Sequence, residues 1–248
     1  MESIDFANTY TEWPAFGYWG ITHSLTHINL PLVLYTWIAL LVLIVTILIA
    51  RFFSHRKKNI GYYLILTIVK AFMDLCSQSL GKFHYGHFSF VFALFLFILF
   101  CNLMGQVPFI EEPTSDLNTT LALGIVGFIY TNIHAVKAQG MKAYLKTYLE
   151  PFFLMMPLNV VGKIAGVVSI SFRLFGNMFG GSLISNIYMS TIGHSPLLAF
   201  LGMVSGINFC LALFFGIFEG LIQAFVFAML SLTYLSIEVH TDTTHETV

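Results

Sequence analysis

The chain contains 248 residues, of which 57% are hydrophobic and only 9% are charged, and its formal net charge is −1. A soluble globular domain has about 25% charged residues, so this chain has too few polar side chains to cover a water-soluble particle. Lipid must therefore solvate much of its surface. The near-neutral charge also provides no basic surface, which excludes nucleic acid as a partner.

The first third of the chain predicts one membrane span and one helix at the membrane surface. Residues 1–27 are expected to form an external N-terminal segment. The run 28–50 has no charged residue and is long enough to cross the bilayer core, which needs about 20 apolar residues. It ends at Arg51. Charged and apolar side chains then alternate at helical spacing over 60–82, which predicts an amphipathic helix.

Two further spans flank an acidic turn. Residues 88–108 are rich in Phe and Leu, and 117–136 form the third apolar run. The turn between them, 111–116, carries two glutamates and one aspartate. Either Asp116 or Thr114 is expected to cap the following helix, because a short side chain with an oxygen can accept a hydrogen bond from a free N–H group there.

Two long apolar segments follow, at 152–192 and 197–238, with a turn signal between them. Each would be about 60 Å long as one helix, roughly twice the hydrocarbon thickness, so it must tilt steeply or fold back on itself. The periodicity does not distinguish these two arrangements. The sequence therefore predicts an all-α polytopic membrane protein. It has about five to six membrane helices in one domain, 28–238, including a pair of long, steeply tilted helices that form a hairpin, and a polar tail, 239–248.

The distribution of charge predicts the orientation. Basic clusters at 51–58 and 137–146 lie one full hairpin apart, so they share a side. By the positive-inside rule that side is the cytoplasm, or the matrix of an organelle, and the acidic turn is external. We expect an integral protein of the bacterial plasma membrane, with the mitochondrial inner membrane as the alternative.

Arg173 is the most informative residue, because it lies far from either end of a long apolar segment. A mid-membrane arginine costs about 2.5–3.5 kcal/mol on insertion scales, and its pKa above about 12 prevents it from losing its charge. Such a residue is expected to face a polar cavity or a partner. The alternative is a side chain that reaches a membrane interface beside ordinary helix packing.

Small and polar residues share a helix face with Arg173. They recur at spacings of three or four, which places them on one side of a helix. Small residues allow another helix to approach closely. The members of this face are Gly162, Gly166, Ser169, Arg173, Asn177 and Gly180.

Two more charges interrupt the long segments. Glu219 is predicted to share a face with Gly216, Gln223 and Phe227. A buried carboxylate favours its protonated form, which suits a group that passes protons. The alternative is a static ion pair with a cation of the neighbouring segment, either Arg173 or Lys163. Lys163 is likewise either a pathway residue or a side chain that reaches the inner interface.

The sequence predicts no metal, cofactor or nucleotide site. The three cysteines stand singly, without a zinc-ligand spacing, and there is no HExxH pair. A GxxxxGK[ST] loop for nucleotide phosphates is also absent from the sequence. We therefore expect transport rather than catalysis in this chain.

Several motifs together resemble subunit a of F-type ATP synthase, and they occur in order between about residues 95 and 238. The RLFGN signature and the QAxxF motif are the most specific of them. The matching segments are NLMGQVP at 102–108, PTSDLNTTL at 113–121, PLN at 157–159, RLFGNM at 173–178 and QAFVF at 223–227.

The resemblance implies a role for each matched residue. Arg173 would be the essential stator arginine that faces the carboxylates of a rotating c ring, and Asn177 and Gln223 would be its polar neighbours. Asp116 and Asn118 would lie near an external half-channel. The implied partners are the c ring, peripheral-stalk subunit b, the other ATP synthase subunits, membrane lipid and the transported proton.

This sequence departs from the family pattern at three places. Many members have Glu or His nine residues after the arginine, where Ser182 stands here, and also at the position of Gly216. Glu219, almost one turn later, is the expected substitute for the second of these. Lys163 stands where many members carry Glu.

Three other possibilities remain open from the sequence. The same subunit could carry sodium instead of protons. A stand-alone secondary transporter or channel would instead predict an inverted repeat, and the halves of the chain show no convincing similarity. A purely structural scaffold is the third possibility, and it would tolerate replacement of Arg173.

Overall fold

The computed structural model describes residues 12–14, 27–54, 60–81, 83–107, 110, 112–149, 154, 156–193 and 206–240. Four sequence-based expectations lie wholly or largely outside these residues. They concern the external N-terminal segment, the basic residues 55–58, the turn at 194–196 and the polar C-terminal tail.

The chain folds into a bundle of helices. These are α1 (Leu30–Ser54), α2 (Ile60–Leu80), α3 (Tyr85–Met104), α4 (Leu117–Gln139), α5 (Met141–Leu149), α6 (Met156–Gly193) and α7 (207–240). A 3₁₀ turn, Pro113–Ser115, precedes α4. Two short strands, β1 (Glu12–Pro14) and β2 (His27–Asn29), pair antiparallel before α1.

Six of these helices, all except α5, are long and apolar enough to cross a membrane, judged by length and composition within the described part of the chain. This confirms the predicted all-α polytopic fold. The last helix, α7, is not uniform. It begins as an α-helix at Ile207–Leu211, widens into a π-helix at Ala212–Glu219 and continues as an α-helix over Gly220–His240.

Local signals at both ends of α4 explain its bounds. Asp116 caps the start, because its carboxylate accepts a hydrogen bond of 2.7 Å from the backbone N–H of Asn118. Thr114, the other candidate cap, instead donates its hydroxyl hydrogen bond to Asn102. The helix ends at Gly140, whose φ of 82° lies in the left-handed region that favours glycine.

The buried core lies where α2, α3, α6 and α7 meet. On α2, apolar side chains face inwards while Lys70 and Asp74 are exposed. Large apolar side chains of α1, such as Trp37 and Leu41, are mostly exposed, which suits a helix that faces lipid. The core contains Phe72, Cys76, Leu80, Val91, Leu94, Phe95, Ile98, Ile170, Leu174, Met178, Ala224, Phe227, Ala228, Leu232 and Leu235.

The two longest helices run antiparallel in contact. With 38 residues, α6 is about 57 Å long, almost twice the hydrocarbon thickness of about 30 Å. Near one end, Gly166 lies against Tyr234, and a Cβ on this glycine would lie 3.1 Å from the tyrosine hydroxyl. Further along, Gly181 lies equally close to Phe215. The glycines therefore let the helices approach over much of their length.

A fully buried polar residue connects the acidic turn to α7. The Asn102 side chain donates a hydrogen bond of 2.9 Å to the Gly220 carbonyl and accepts one of 2.7 Å from the Thr114 hydroxyl. Asn102 and Thr114 are both 0% exposed. The buried hydrogen bonds hold the turn against the junction between the π-helical and α-helical parts of α7.

We expect Asn102→Leu to loosen this end of the bundle. The substitution would leave the buried Thr114 hydroxyl without its acceptor, at about 1–3 kcal/mol, and would remove the side-chain hydrogen bond to the Gly220 carbonyl. Cys101, which is 0% exposed, reports the effect through its rate of thiol labelling, followed by mass spectrometry. Labelling should accelerate at least about tenfold, since each 1.4 kcal/mol is a factor of ten in an opening equilibrium.

Gln78→Leu is the matched control, because Gln78 is an exposed amide on α2. It should leave the labelling of Cys101 unchanged. Equal labelling rates in Asn102→Leu and the unsubstituted protein would show that the buried amide does not hold the turn.

Candidate functional site

The larger of two cavities lies at the end of the bundle that carries the acidic turn. We call it the acidic cavity; its volume is about 650 Å³, which is room for many waters. The acidic turn, α6 and the beginning of α7 form its walls. Its polar lining residues are Gln106, Glu112, Ser115, Asp116, Ser182, Ser185, Asn186 and Tyr188.

Glu112 is the only glutamate that lines this cavity among the described residues. Its Oε2 atom is shielded from solvent and has no hydrogen-bond partner in the described part of the chain. The carboxylate packs directly over Gly105, where any Cβ would overlap it. Burial raises the pKa of Glu112 from 4.5 to about 7, because a carboxylate loses hydration when it is shielded from water.

Gln106 fills the space beside Gly216. A Cβ on Gly216 would overlap the amide of Gln106, so the two positions compete for one volume. Both residues line the acidic cavity. The amide of Gln106, which follows α3, therefore occupies the space that a side chain at position 216 would need.

The smaller cavity lies at the opposite end of the long helices. We call it the lysine cavity; its volume is about 60 Å³, enough for a few waters. Its wall is formed by α4, α6 and α7. Its polar lining residues are Thr131, Asn132, Lys163, Ser231, Tyr234 and Glu238.

Lys163 is held in a polar and aromatic cluster. Its ammonium group lies 2.8 Å from the Glu238 carboxylate and 4.1 Å from the centre of the Tyr148 ring. The side chains of the ion pair are 25% and 17% exposed. Tyr148 shares a hydrogen bond of 2.6 Å with Tyr144, which also donates to Asn132. The cluster thus compensates the lysine charge with one carboxylate and two ring faces.

Arg173 lies between the two cavities. On α6 the lysine cavity extends to Ile170, and the acidic cavity starts at Phe175. The two cavities have no lining residue in common. Arg173 is exposed, and no carboxylate in the described part of the chain forms an ion pair with it.

The surface around Arg173 is open. A Cβ added to Gly162, Gly176 or Gly180 would meet no atom within 4 Å, whereas Gly166, further along the same face, lies against Tyr234. Asn177 lies one turn from Arg173 and is partly exposed. The predicted small-residue face is therefore present, and among the described residues nothing occupies its middle.

Gln223 occupies the corresponding place on α7. It is 8% exposed and lies between Gly216, at the acidic cavity, and Phe227, at the lysine cavity. The contacts of Gly166 and Gly181 with α7 set the antiparallel register. This register places Arg173 level with the Gln223–Phe227 stretch.

Glu219 is not buried with its predicted neighbours. Gly216, Gln223 and Phe227 are buried, whereas Glu219 is partly exposed. The prediction assumed a uniform α-helix. Glu219 is the last residue of a π-helix, whose wider turns, with hydrogen bonds to the fifth preceding residue, change the angle between Glu219 and Gly216.

The contacts of Glu219 and Lys163 differ from the ion pair that was one of their predicted alternatives. Glu219 forms no ion pair with any described cation, so the static pair with Arg173 or Lys163 is not observed. Lys163 pairs instead with Glu238, which the sequence reasoning did not single out. Glu219 lies along α7 between the acidic cavity and Gln223, without lining either cavity.

The remaining site candidates divide into two groups. Asp116 and Ser182 line the acidic cavity, and Ser182 donates a hydrogen bond of 2.9 Å to the Phe179 carbonyl. Asn118 is exposed and lines neither cavity; its backbone N–H is the donor to the Asp116 cap. The Asp116 side chain is therefore committed to the start of α4 as well as to the cavity wall.

Sequence reasoning missed three residues of the cavities: Gln106, Glu112 and Glu238. Glu112 entered only as one of several acidic residues that marked the outer side. In the sequence it stands directly before Pro113 and Thr114, and only the structure shows that these two residues are buried. Glu238 could have been suggested as an acid near the end of the last span, but its pairing with Lys163 depends on the register of the hairpin.

A bundle of membrane-length helices with separate cavities at its two ends places this chain in the class of integral membrane proteins. A sequence profile of the family described as ATP synthase A chain matches residues 33–236. The chain therefore belongs to this family, and it is a membrane subunit of the F0 stator of an ATP synthase, which acts together with other ATP synthase subunits.

Similar proteins support the same assignment. ATP synthase subunit a of Syntrophobacter fumaroxidans is 34% identical over 213 residues, which are 83% of this chain and 83% of that protein. That of Moorella thermoacetica is 32% identical over 83% of this chain and 88% of its own length. That of Desulfosudis oleivorans is 33% identical and covers 90% of this chain and 91% of its own length.

We expect the Lys163–Glu238 pair to be strongly coupled. Lys163→Met and Glu238→Gln should each lower stability, because each leaves a partly buried charge without its partner. The double variant should be more stable than the sum of the two losses by about 0.5–3 kcal/mol. The measurement is thermal unfolding of the purified complex at fixed pH and salt.

Lys142→Met provides the matched control, since Lys142 is exposed on α5. It should show no coupling with Glu238→Gln. Simple additivity of Lys163→Met and Glu238→Gln would mean that the ion pair contributes nothing to stability.

Proposed function

We propose that this chain carries protons between the two sides of a membrane, together with a ring of carboxylate-bearing c subunits. The acidic cavity is the half-channel to the outer side, and the lysine cavity is the half-channel to the cytoplasm or matrix. The observation that carries this proposal is Arg173, an exposed cation on an open face between two cavities that share no lining residue.

The charges near the cavities support this orientation. Lys137, Lys142 and Lys146 lie in or next to α5, at the end of the bundle that holds the lysine cavity. Basic residues favour the cytoplasmic side of a membrane, so the lysine cavity is placed inside and the acidic cavity outside. Exposed glycines on α6 let the ring approach the arginine closely.

Coupling follows from the energetics of charge in lipid. An ionised carboxylate of the ring cannot face hydrocarbon cheaply, whereas a protonated one can, so the ring advances only when loaded. Arg173 stabilises the ionised form as each carboxylate arrives, because an opposite charge nearby favours ionisation. The released proton leaves through the other half-channel.

The arginine also prevents a direct leak. It keeps its charge at every pH of interest, so a proton that moved straight from one cavity to the other would have to pass a fixed cation. Each elementary charge that crosses the membrane releases about 2.3 kcal/mol per 100 mV, which the ring turns into torque. ATP then forms on other subunits, with subunit b of the peripheral stalk holding this chain in place.

We expect Arg173→Ala to abolish ATP-driven proton pumping and proton-driven ATP synthesis while the complex still assembles. The measurement is acidification of vesicles that contain the purified complex, normalised to the amount of assembled enzyme. Arg173→Lys should restore little, because lysine can lose its proton when buried and lacks the planar guanidinium.

Arg51→Ala is the matched control, because Arg51 is an exposed arginine at the end of α1 that lines neither cavity. It should pump as the unsubstituted enzyme does. Robust pumping by assembled Arg173→Ala would remove the central assignment, and transport by the purified chain without a c ring would favour a stand-alone transporter.

We also expect Glu219→Gln to slow proton flow. Glu219 lies on α7 between the acidic cavity and the level of Arg173, so its carboxylate is placed to pass a proton onwards. Passive proton flux through the F0 sector, measured in vesicles over a range of pH, tests this role. An unchanged flux at every pH would make Glu219 a structural residue.

A further inference from the structure

We propose that Glu112 carries protons between the water of the acidic cavity and the deeper part of this cavity, which faces the ring. This inference rests on the proposed function, and it adds a proton-carrying residue that lies in the turn before α4 rather than within the long helices. Glu112 would take a proton from cavity water and return it to water deeper in the cavity.

The geometry carries this assignment. One carboxylate oxygen, Oε2, is shielded from solvent and lacks a hydrogen-bond partner in the described part of the chain, although the residue lines a cavity of about 650 Å³. A buried polar atom without a partner is unfavourable unless water or a proton satisfies it. The carboxylate therefore suits an exchange of protons with cavity water.

The backbone fixes this carboxylate in place. The Glu112 carbonyl accepts hydrogen bonds from the backbone N–H of Ser115, at 3.0 Å, and from the Ser115 hydroxyl, at 2.7 Å. Thr114 is held by the buried Asn102. Gly105 leaves the space that the carboxylate occupies. The turn is thus built to keep an acid in the cavity wall rather than in solvent.

Few other titratable groups face Glu112. Among the described lining residues these are Asp116, from its own turn, and Tyr188, from α6; the ends of α3 and α7 contribute uncharged side chains. The helix α1 also packs against the turn and has no charged residue before Arg51. Asp116 is engaged as the α4 cap, which leaves Glu112 as the carboxylate available for proton exchange.

The ionisation of Glu112 supports this role. Burial raises its pKa to about 7, so the group is largely protonated below pH 7 and largely ionised above it. A group with a pKa close to the working pH gives and takes protons most effectively. Replacement by glutamine keeps the size and removes the titration.

The test uses the whole ATP synthase in vesicles, with proton-driven ATP synthesis measured while the pH on the acidic-cavity side varies from 5.5 to 8.5. Glu112→Gln should lower the rate at least about tenfold, because positioned proton transfer typically contributes 10²–10⁴-fold and cavity water offers a partial bypass. It should also remove the component of the pH profile centred near 7. Glu112→Asp should retain that component at a reduced rate.

Asp74→Asn is the matched control, since Asp74 is an exposed carboxylate on α2 outside both cavities. It should match the unsubstituted enzyme. An unchanged rate and pH profile in Glu112→Gln would overturn the proposal, and so would equal losses in the Gln and Asp variants with an unchanged profile. Arg173→Ala in the same vesicles separates the two proposals: if it is inactive while Glu112→Gln is normal, only the role of Glu112 fails.

Discussion

An arginine within a long apolar helix cannot lose its proton, so its charge must be compensated by its surroundings. Arg173 has no carboxylate partner within the part of the chain that the structure describes, and it lies on an exposed face of α6. The described residues therefore leave the positive charge of Arg173 uncompensated. The two cavities, the open glycine face and the antiparallel hairpin are arranged around that uncompensated charge.

Lys163 illustrates the opposite solution. This cation also interrupts an apolar segment, but Glu238 and two tyrosine rings surround it within the same chain. Because Glu238 already compensates its charge, Lys163 attracts an external carboxylate only weakly. On the proposed mechanism, this difference separates the residue that acts on the ring from the residue that shapes one half-channel.

The carboxylates that line the acidic cavity among the described residues, Glu112 and Asp116, belong to the turn before α4 and not to the long helices. Gly216 and Ser182 offer no acidic or imidazole group to this cavity, and Gln106 occupies the space at Gly216. On the proposed mechanism, the acid that exchanges protons with cavity water is Glu112, which belongs to a turn between helices. Because only the location of a proton-accepting group in the cavity matters chemically, a different element can supply it.

The sequence by itself determined that this chain is a helical membrane protein with an unusual arginine, since apolar length and charge are local properties that the bilayer imposes directly. It also predicted that Asp116 or Thr114 caps α4 and that small residues share a face of α6, because both features depend on residues close together in the chain. Only the tertiary structure revealed that Glu238 forms an ion pair with Lys163, that Gln106 fills the space beside Gly216 and that Glu112 lines a cavity. These contacts depend on the register between distant helices, and the π-helical stretch that ends at Glu219 is not encoded in the helical periodicity of the sequence.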